Sequence, residues 1–404
     1  MNPAFSFEIL AKDKKSRARA GIIKTKHGEI KTPYLVPVAT RGFLIAVSPS
    51  DLKKINPQAL LANTYHLHFR FPGDKKIKAL GGLHKFMSFK KPIFTDSGGF
   101  QALSLGPGLQ NRMRKIGFFP KNNDTSINKD VETFAKLTSK GINFKSVYNN
   151  KESFMGAKES MQIQSNLDSD IIFAFDQCNP QNQTLKETKK SMEISHKWET
   201  QSLKYRNPEQ AIYGIIHGGV FKSLRKRSTK FISSLPFDGI AVGGSIGKNK
   251  KEMYDILKTI TNAIPESAYN KPRHMLGIGW IDDLFECVSL GMDTFDCVQT
   301  TRVARHGYLY VSPESGGNKS DGFKIRIGRA IYAKDEKPID SSCTCQTCKK
   351  HSRSHLHKLF KSKDLEYSRL ATIHNLFFIE SLMKNIRNSI LKGNFNKLKK
   401  RWMK

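Results

Sequence analysis

The stretch "IIFAFDQC", Ile171 to Cys178, runs through five apolar residues and stops at Asp176, Gln177 and Cys178. A short β-rich apolar run ending in a polar group is the pattern of a parallel strand buried on both faces. On either side of it the same form recurs in "TPYLVPVAT" (Thr32–Thr40), "ALLANTYHL" (Ala59–Leu67), "PIFTDSGGF" (Pro92–Phe100), "AIYGIIHGG" (Ala211–Gly219), "GIAVGGS" (Gly239–Ser245), "HMLGIG" (His274–Gly279) and "TFDCVQT" (Thr294–Thr300). Helical patterns separate most of these runs. Thr184 opens "TLKE", in which its hydroxyl and the Glu187 carboxylate satisfy free N–H groups of a first helical turn, and Met192, Ile194 and Trp198 follow at helical spacing. Eight β/α alternations favour a TIM (β/α)8 barrel, whose catalytic groups gather at the C-terminal ends of the strands. A doubly wound open sheet shares the alternation and is the alternative.

The 404 residues can bury one large core, and 68 Lys plus Arg against 35 Asp plus Glu leave a formal net charge of +33. A polyanion is the natural counterpart, whether RNA, DNA or an anionic membrane. A coding sequence rich in A and T also favours lysine, so the charge by itself assigns no partner. No apolar run reaches the roughly 18 to 20 residues that span a bilayer. The N-terminus "MNPAFSFEILAKDKKSR" lacks the order of a signal peptide. A soluble, cytoplasmic protein is expected.

Six cysteines are too few for a disulfide scaffold of this size, and three of them crowd into "CTCQTC". Cys343, Cys345 and Cys348 with His374 supply three thiolates and one imidazole, a closed tetrahedral zinc site of the structural type. His351, His355 and His357 compete for the fourth place. No phosphate-cradling or dinucleotide fingerprint appears, so zinc is the one cofactor expected. The segment Gly106 to Lys121 reads as a loop over the barrel mouth.

The pieces "NTYHL", "DSGGFQ", "FDQC", "FDGIAVGGS", "LGIG", "FDCVQTTRVARHG" and "CTCQTC", with "HN" further on, resemble the queuosine-type tRNA-guanine transglycosylases in content and in order, over nearly the whole chain. The resemblance implies a TIM barrel, with residues 1–309 as its main part and 310–404 as a zinc-binding subdomain and helical region. It implies a tRNA partner with guanine at the wobble position, exchanged for a 7-deazaguanine base.

Cleaving a glycosidic bond creates positive charge on the ribose, which a carboxylate below C1′ can stabilise or bond to covalently. Asp296 fits that role. A second carboxyl must face the departing base to donate a proton, and Asp96 fits it. Gly98 and Gly99 beside it let backbone approach a flat ligand, and Phe100 is placed to stack on one. By resemblance Asp176 reads the Watson–Crick edge of guanine, while Ser97, Cys178 and Gly244 complete the pocket, and His217 is expected among the base-binding residues. Arg302 and Arg305 are expected to grip the phosphates or bases of the same anticodon loop.

Several positions depart from the family pattern, and they cluster around the incoming base. His217 in "GIIHGG" stands where the bacterial pattern has Gln. His274 stands where bacterial enzymes often carry an aromatic ring that stacks on the base. "SIGK" puts Lys248 where an acidic residue is expected, depriving the aminomethyl precursor's cation of a partner, so queuine is expected to serve at least as well. The resemblance also implies a homodimer through the zinc subdomain, although "HSRSHLHK" has histidines where bacterial relatives place aromatic residues.

Overall fold

The computed structural model describes residues 4–104, 135–178 and 183–404. All eight apolar runs form strands: β1 (Tyr34–Pro37), β2 (Leu60–Ala62), β3 (Ile93–Thr95), β4 (Ile171–Phe173), β5 (Ala211–Ile216), β6 (Gly239–Val242), β7 (Arg273–Met275) and β8 (Thr294–Cys297). They pair in parallel from β2 through β8, and β8 pairs with β1. Val38 then bridges Leu61, and Ala39 N–H donates to Leu61 O at 2.7 Å, which joins β1 to β2. The strands therefore form a TIM barrel, and this closure excludes the open sheet.

The period of two explains how such short strands hold together. Ile171 and Phe173 of β4 share one apolar cluster with Phe94, Tyr213 and Ala241, the filling of the barrel. Ile172 between them belongs to a second cluster with Ile212, Ile240 and the surrounding helices. Each large buried ring contributes about 2 kcal/mol of burial free energy. Helix Leu185–Tyr205 starts as its sequence predicts: Glu187 N–H donates to Thr184 Oγ1 at 3.3 Å and Thr184 N–H to Glu187 Oε2 at 2.8 Å.

An antiparallel sheet of Ser6–Lys12, Arg19–Thr25 and Gly28–Thr32 covers the N-terminal ends of the strands. Arg19 pairs with Asp293 just before β8 at 2.5 Å, and His27 with Asp170 just before β4 at 2.8 Å. His84 stacks on His27 at 3.5 Å and faces the other oxygen of Asp170. The two rings aim at different oxygens rather than at one point, which makes the trio a clasp on the face of the barrel concerned with stability.

The chain after the barrel returns to it. In helix Leu365–Leu391, Arg387 donates to the carbonyls of Gly21 and Thr32, and Glu380 accepts from the Tyr34 hydroxyl at 2.5 Å. Phe378 and Trp402 share an apolar cluster with Phe285 and Phe295 of the barrel. The segment expected as a mouth loop, Gly106 to Lys121, lies outside the described residues. No helix among the described residues is long and apolar enough to cross a membrane.

Candidate active site and metal centre

Asn63 follows β2 and caps helix Thr64–Phe69, its Oδ1 accepting from His66 N–H at 3.0 Å. The other end of the same amide donates to Asp96 Oδ2, and Thr64 N–H donates to Asp96 Oδ1 at 2.9 Å. Two donors at a helix start thus hold one carboxyl at the end of β3. Removal from water pushes Asp96 up to about 7, against the bond from Thr64 and with help from the charge of Asp296.

Asp296 stands at the end of β8 with its side chain 16% exposed. Its Oδ1 faces His274 Nε2 at 3.1 Å and accepts from Gly277 N–H at 3.1 Å, while Oδ2 has no protein partner among the described residues. His274 does not sit on the base face, as its aligned position suggested. It is fully buried inside the barrel, bonded to Thr294 Oγ1 at 2.9 Å, with its ring 4.9 Å from that of Phe173. Strand alternation is the reason: His274 and Thr294 are register partners on neighbouring strands, and both side chains point inward.

A third carboxylate, Asp176, follows β4. Ser97 Oγ donates to its Oδ1 at 3.2 Å, and His217 Nε2 lies 3.3 Å from its Oδ2. His217 is 1% exposed and neither ring nitrogen has a hydrogen-bond partner among the described residues, which in a native protein calls for a ligand or water. Gly244, at φ +70°, lies against this ring, since a Cβ built there would stand 3.4 Å from His217 Nδ1. Gly99 passes so near β4 that a Cβ would fall 2.8 Å from Asp176 O. Burial pushes the Cys178 thiol up, helped by the neighbouring Asp176, so it is no ready nucleophile. Phe100 is half-buried at the start of helix Gly99–Ser104.

Arg302 and Arg305 lie on helix Gln299–Arg305, directly after β8. Arg302 is exposed; Arg305 is half-buried, and its Nη1 has no partner among the described residues. Lys248 is exposed too, with its N–H donating to Glu252 Oε2 at 2.6 Å. The electrostatic case against an aminomethyl cation therefore finds no support in an inward-pointing Lys248. The sequence reading missed Asn63, Thr64 and Gly277 as holders of the carboxylates, although an Asn-Thr step opening a helix is a cap signal.

Near the C-terminus the Sγ atoms of Cys343, Cys345 and Cys348 stand 3.7, 3.5 and 3.3 Å from His374 Nδ1. A tetrahedron with Zn–S of about 2.3 Å and Zn–N of about 2.0 Å has S···N edges of about 3.6 Å. The residues thus fit a metal ion. His374 Nε2 donates to Tyr310 O at 2.8 Å, which leaves Nδ1 as the ligand atom. The competing histidines are elsewhere: His351 stacks on His355 at 4.8 Å, and His357 bonds Ile327 O at 2.8 Å.

The model of the family described as queuine tRNA-ribosyltransferase matches residues 13–404. The chain belongs to that family. An Archaeoglobus fulgidus protein is 43% identical over 393 residues, covering 96% of both chains. Proteins named queuine tRNA-ribosyltransferase in Roseiflexus sp. (38% identical over 412 residues, 98% and 99% covered) and in Francisella tularensis (40% over 400 residues, 98% of each) are also similar. The family is one of tRNA-modifying transferases.

Proposed function

We propose that this protein exchanges guanine at the wobble position of a tRNA anticodon for a 7-deazaguanine base, queuine or its aminomethyl precursor. The observation that carries the reading is a pair of strand-end carboxyls that feel each other's charge: Asp296 with one oxygen held and the other without a protein partner among the described residues, and Asp96 pushed up to about 7 by burial and by Asp296. Asp296 attacks C1′ of the target nucleoside as the C1′–N9 bond breaks, the electron pair leaving with guanine. Asp96 donates the proton that neutralises the departing base. The incoming base then returns a proton to Asp96 and attacks C1′, breaking the ester to Asp296. Asp176 and Ser97 face the base edge, where a carboxylate receives N1–H and the exocyclic amine of guanine but meets no matching donors on adenine.

Arg302 and Arg305 contact phosphates or bases of the anticodon loop from which the target nucleotide is splayed. Cys343, Cys345, Cys348 and His374 would hold a zinc ion with four protein ligands, an arrangement that would stabilise the fold rather than take part in the reaction. The test is incorporation of labelled guanine into a tRNA with guanine at the wobble position, against the same tRNA carrying adenine there. No incorporation into the first, or equal incorporation into both, would overturn the reading.

A further inference from the structure

Helix Lys222–Ser234 passes behind the base pocket and sends one long side chain into its rear wall. Arg225 is fully buried, yet no carboxylate among the described residues lies within 4.0 Å of it. Its donors go instead to main-chain carbonyls: Nε to Gly219 at 2.8 Å, Nη1 to Ile216 at 2.7 Å and Gly243 at 2.9 Å, and Nη2 to Ser245 at 2.7 Å. These four carbonyls lie at and beyond the ends of β5 and β6, and they bracket His217 and Gly244. Burial pulls the guanidinium down to about 9, so it stays charged at neutral pH.

The approach is built into the chain. A Cβ at Gly218 would stand 2.6 Å from Arg225 N, so only glycine lets the helix come this near. Ser228, on the same helix face, accepts from His217 N–H at 3.0 Å and bonds His196 Nε2 at 2.9 Å. Burying a cation without a counter-ion costs several kcal/mol. A fold that bears this cost beside a ligand pocket gains something there that a neutral side chain would not give.

The geometry points to Arg225 as the positioning residue of the base pocket: it fixes the strand ends that carry His217 and Gly244, and it polarises the Gly243–Gly244 peptide toward the base. The Gly243 carbonyl accepts from the guanidinium, while the Gly244 N–H of that same peptide donates to no protein group among the described residues. A peptide whose carbonyl binds a cation is a stronger donor at its nitrogen. Guanine that leaves with the C1′–N9 electron pair spreads that charge onto its carbonyl oxygen until Asp96 protonates it, and a preorganised N–H at that oxygen lowers the barrier. This role rests on the functional reading given above.

The experiment compares zinc-loaded wild type, Arg225→Lys and Arg225→Gln in guanine binding by calorimetry and in the separate KM values for guanine and tRNA. Guanine Kd and KM should rise about tenfold in R225K and further in R225Q, with tRNA KM within about twofold and zinc content unchanged. The lysine variant keeps the charge but reaches fewer carbonyls, and it decides alone if R225Q does not fold. Unchanged guanine parameters, or guanine and tRNA KM rising together, would overturn the role. A wild type that binds guanine but exchanges none overturns the functional reading instead, and calorimetry then still decides for Arg225.

Discussion

His274 Nε2 lies 3.1 Å from Asp296 Oδ1, inside the barrel and below the mouth. With Gly277 N–H on the same oxygen, one side of the carboxylate is fixed and the other is presented upward. Asp296→Asn keeps this shape and loses the nucleophile. Exchange should fall by at least about 1,000-fold while tRNA binding stays within about twofold. A denaturing gel should show a protein–tRNA adduct for wild type alone, and appreciable exchange by the variant would remove Asp296 from the mechanism.

Asp96, raised to about 7, must be protonated to donate to the departing base. Single-turnover adduct formation should therefore decline as pH rises through about 7, and Asp96→Asn should be slow with that decline absent. Stability follows the same group. A carboxyl raised in the folded state contributes stability at low pH that is lost as pH rises through its folded value. The Tm of Asp96→Asn should exceed that of wild type at pH 8.5, the gap narrowing steadily as pH falls from about 7 toward the ordinary carboxylate range, which differential scanning calorimetry can measure.

Cys345→Ser should lower bound metal well below one per chain and reduce Tm, because binding free energy at such a site is folding free energy. Elemental analysis finding no zinc in wild type would contradict the assignment.

Salt reports on phosphate contacts. The logarithm of tRNA affinity should fall linearly with the logarithm of salt, and Arg302→Ala and Arg305→Ala should each reduce the slope by about 0.7 to 1. A slope that neither variant changes would place the RNA elsewhere.

Queuine is expected to compete with labelled guanine at least as well as the aminomethyl precursor does. Lys248 supplies no carboxylate for the ammonium, and His217 puts an imidazole beside Asp176 in the proposed pocket wall. A strong preference for the precursor in equal-concentration competition on one tRNA would reject this.

The sequence by itself determined the eight strands and the type of site at their ends. Runs such as Ile171–Phe173 and Ala211–Ile216 are legible because burial on both faces forces apolar residues in succession, and the polar group that follows marks the strand's end. The Thr184 cap is equally local, for it needs only residues three apart. What only the tertiary structure decided are convergences between distant strands and helices. Of the candidates His351, His355, His357 and His374, the last completes the metal set because helix Leu365–Leu391 carries it back to the cysteines. His274 lies under Asp296 rather than on the base because the β7–β8 register turns its side chain inward. Arg225 reaches four carbonyls on two strand ends, one from β5 itself and the rest from the loops beyond β5 and β6. Local pattern fixes which face a residue takes along its own element; which residues meet across elements depends on register and helix approach, and these are properties of the closed barrel.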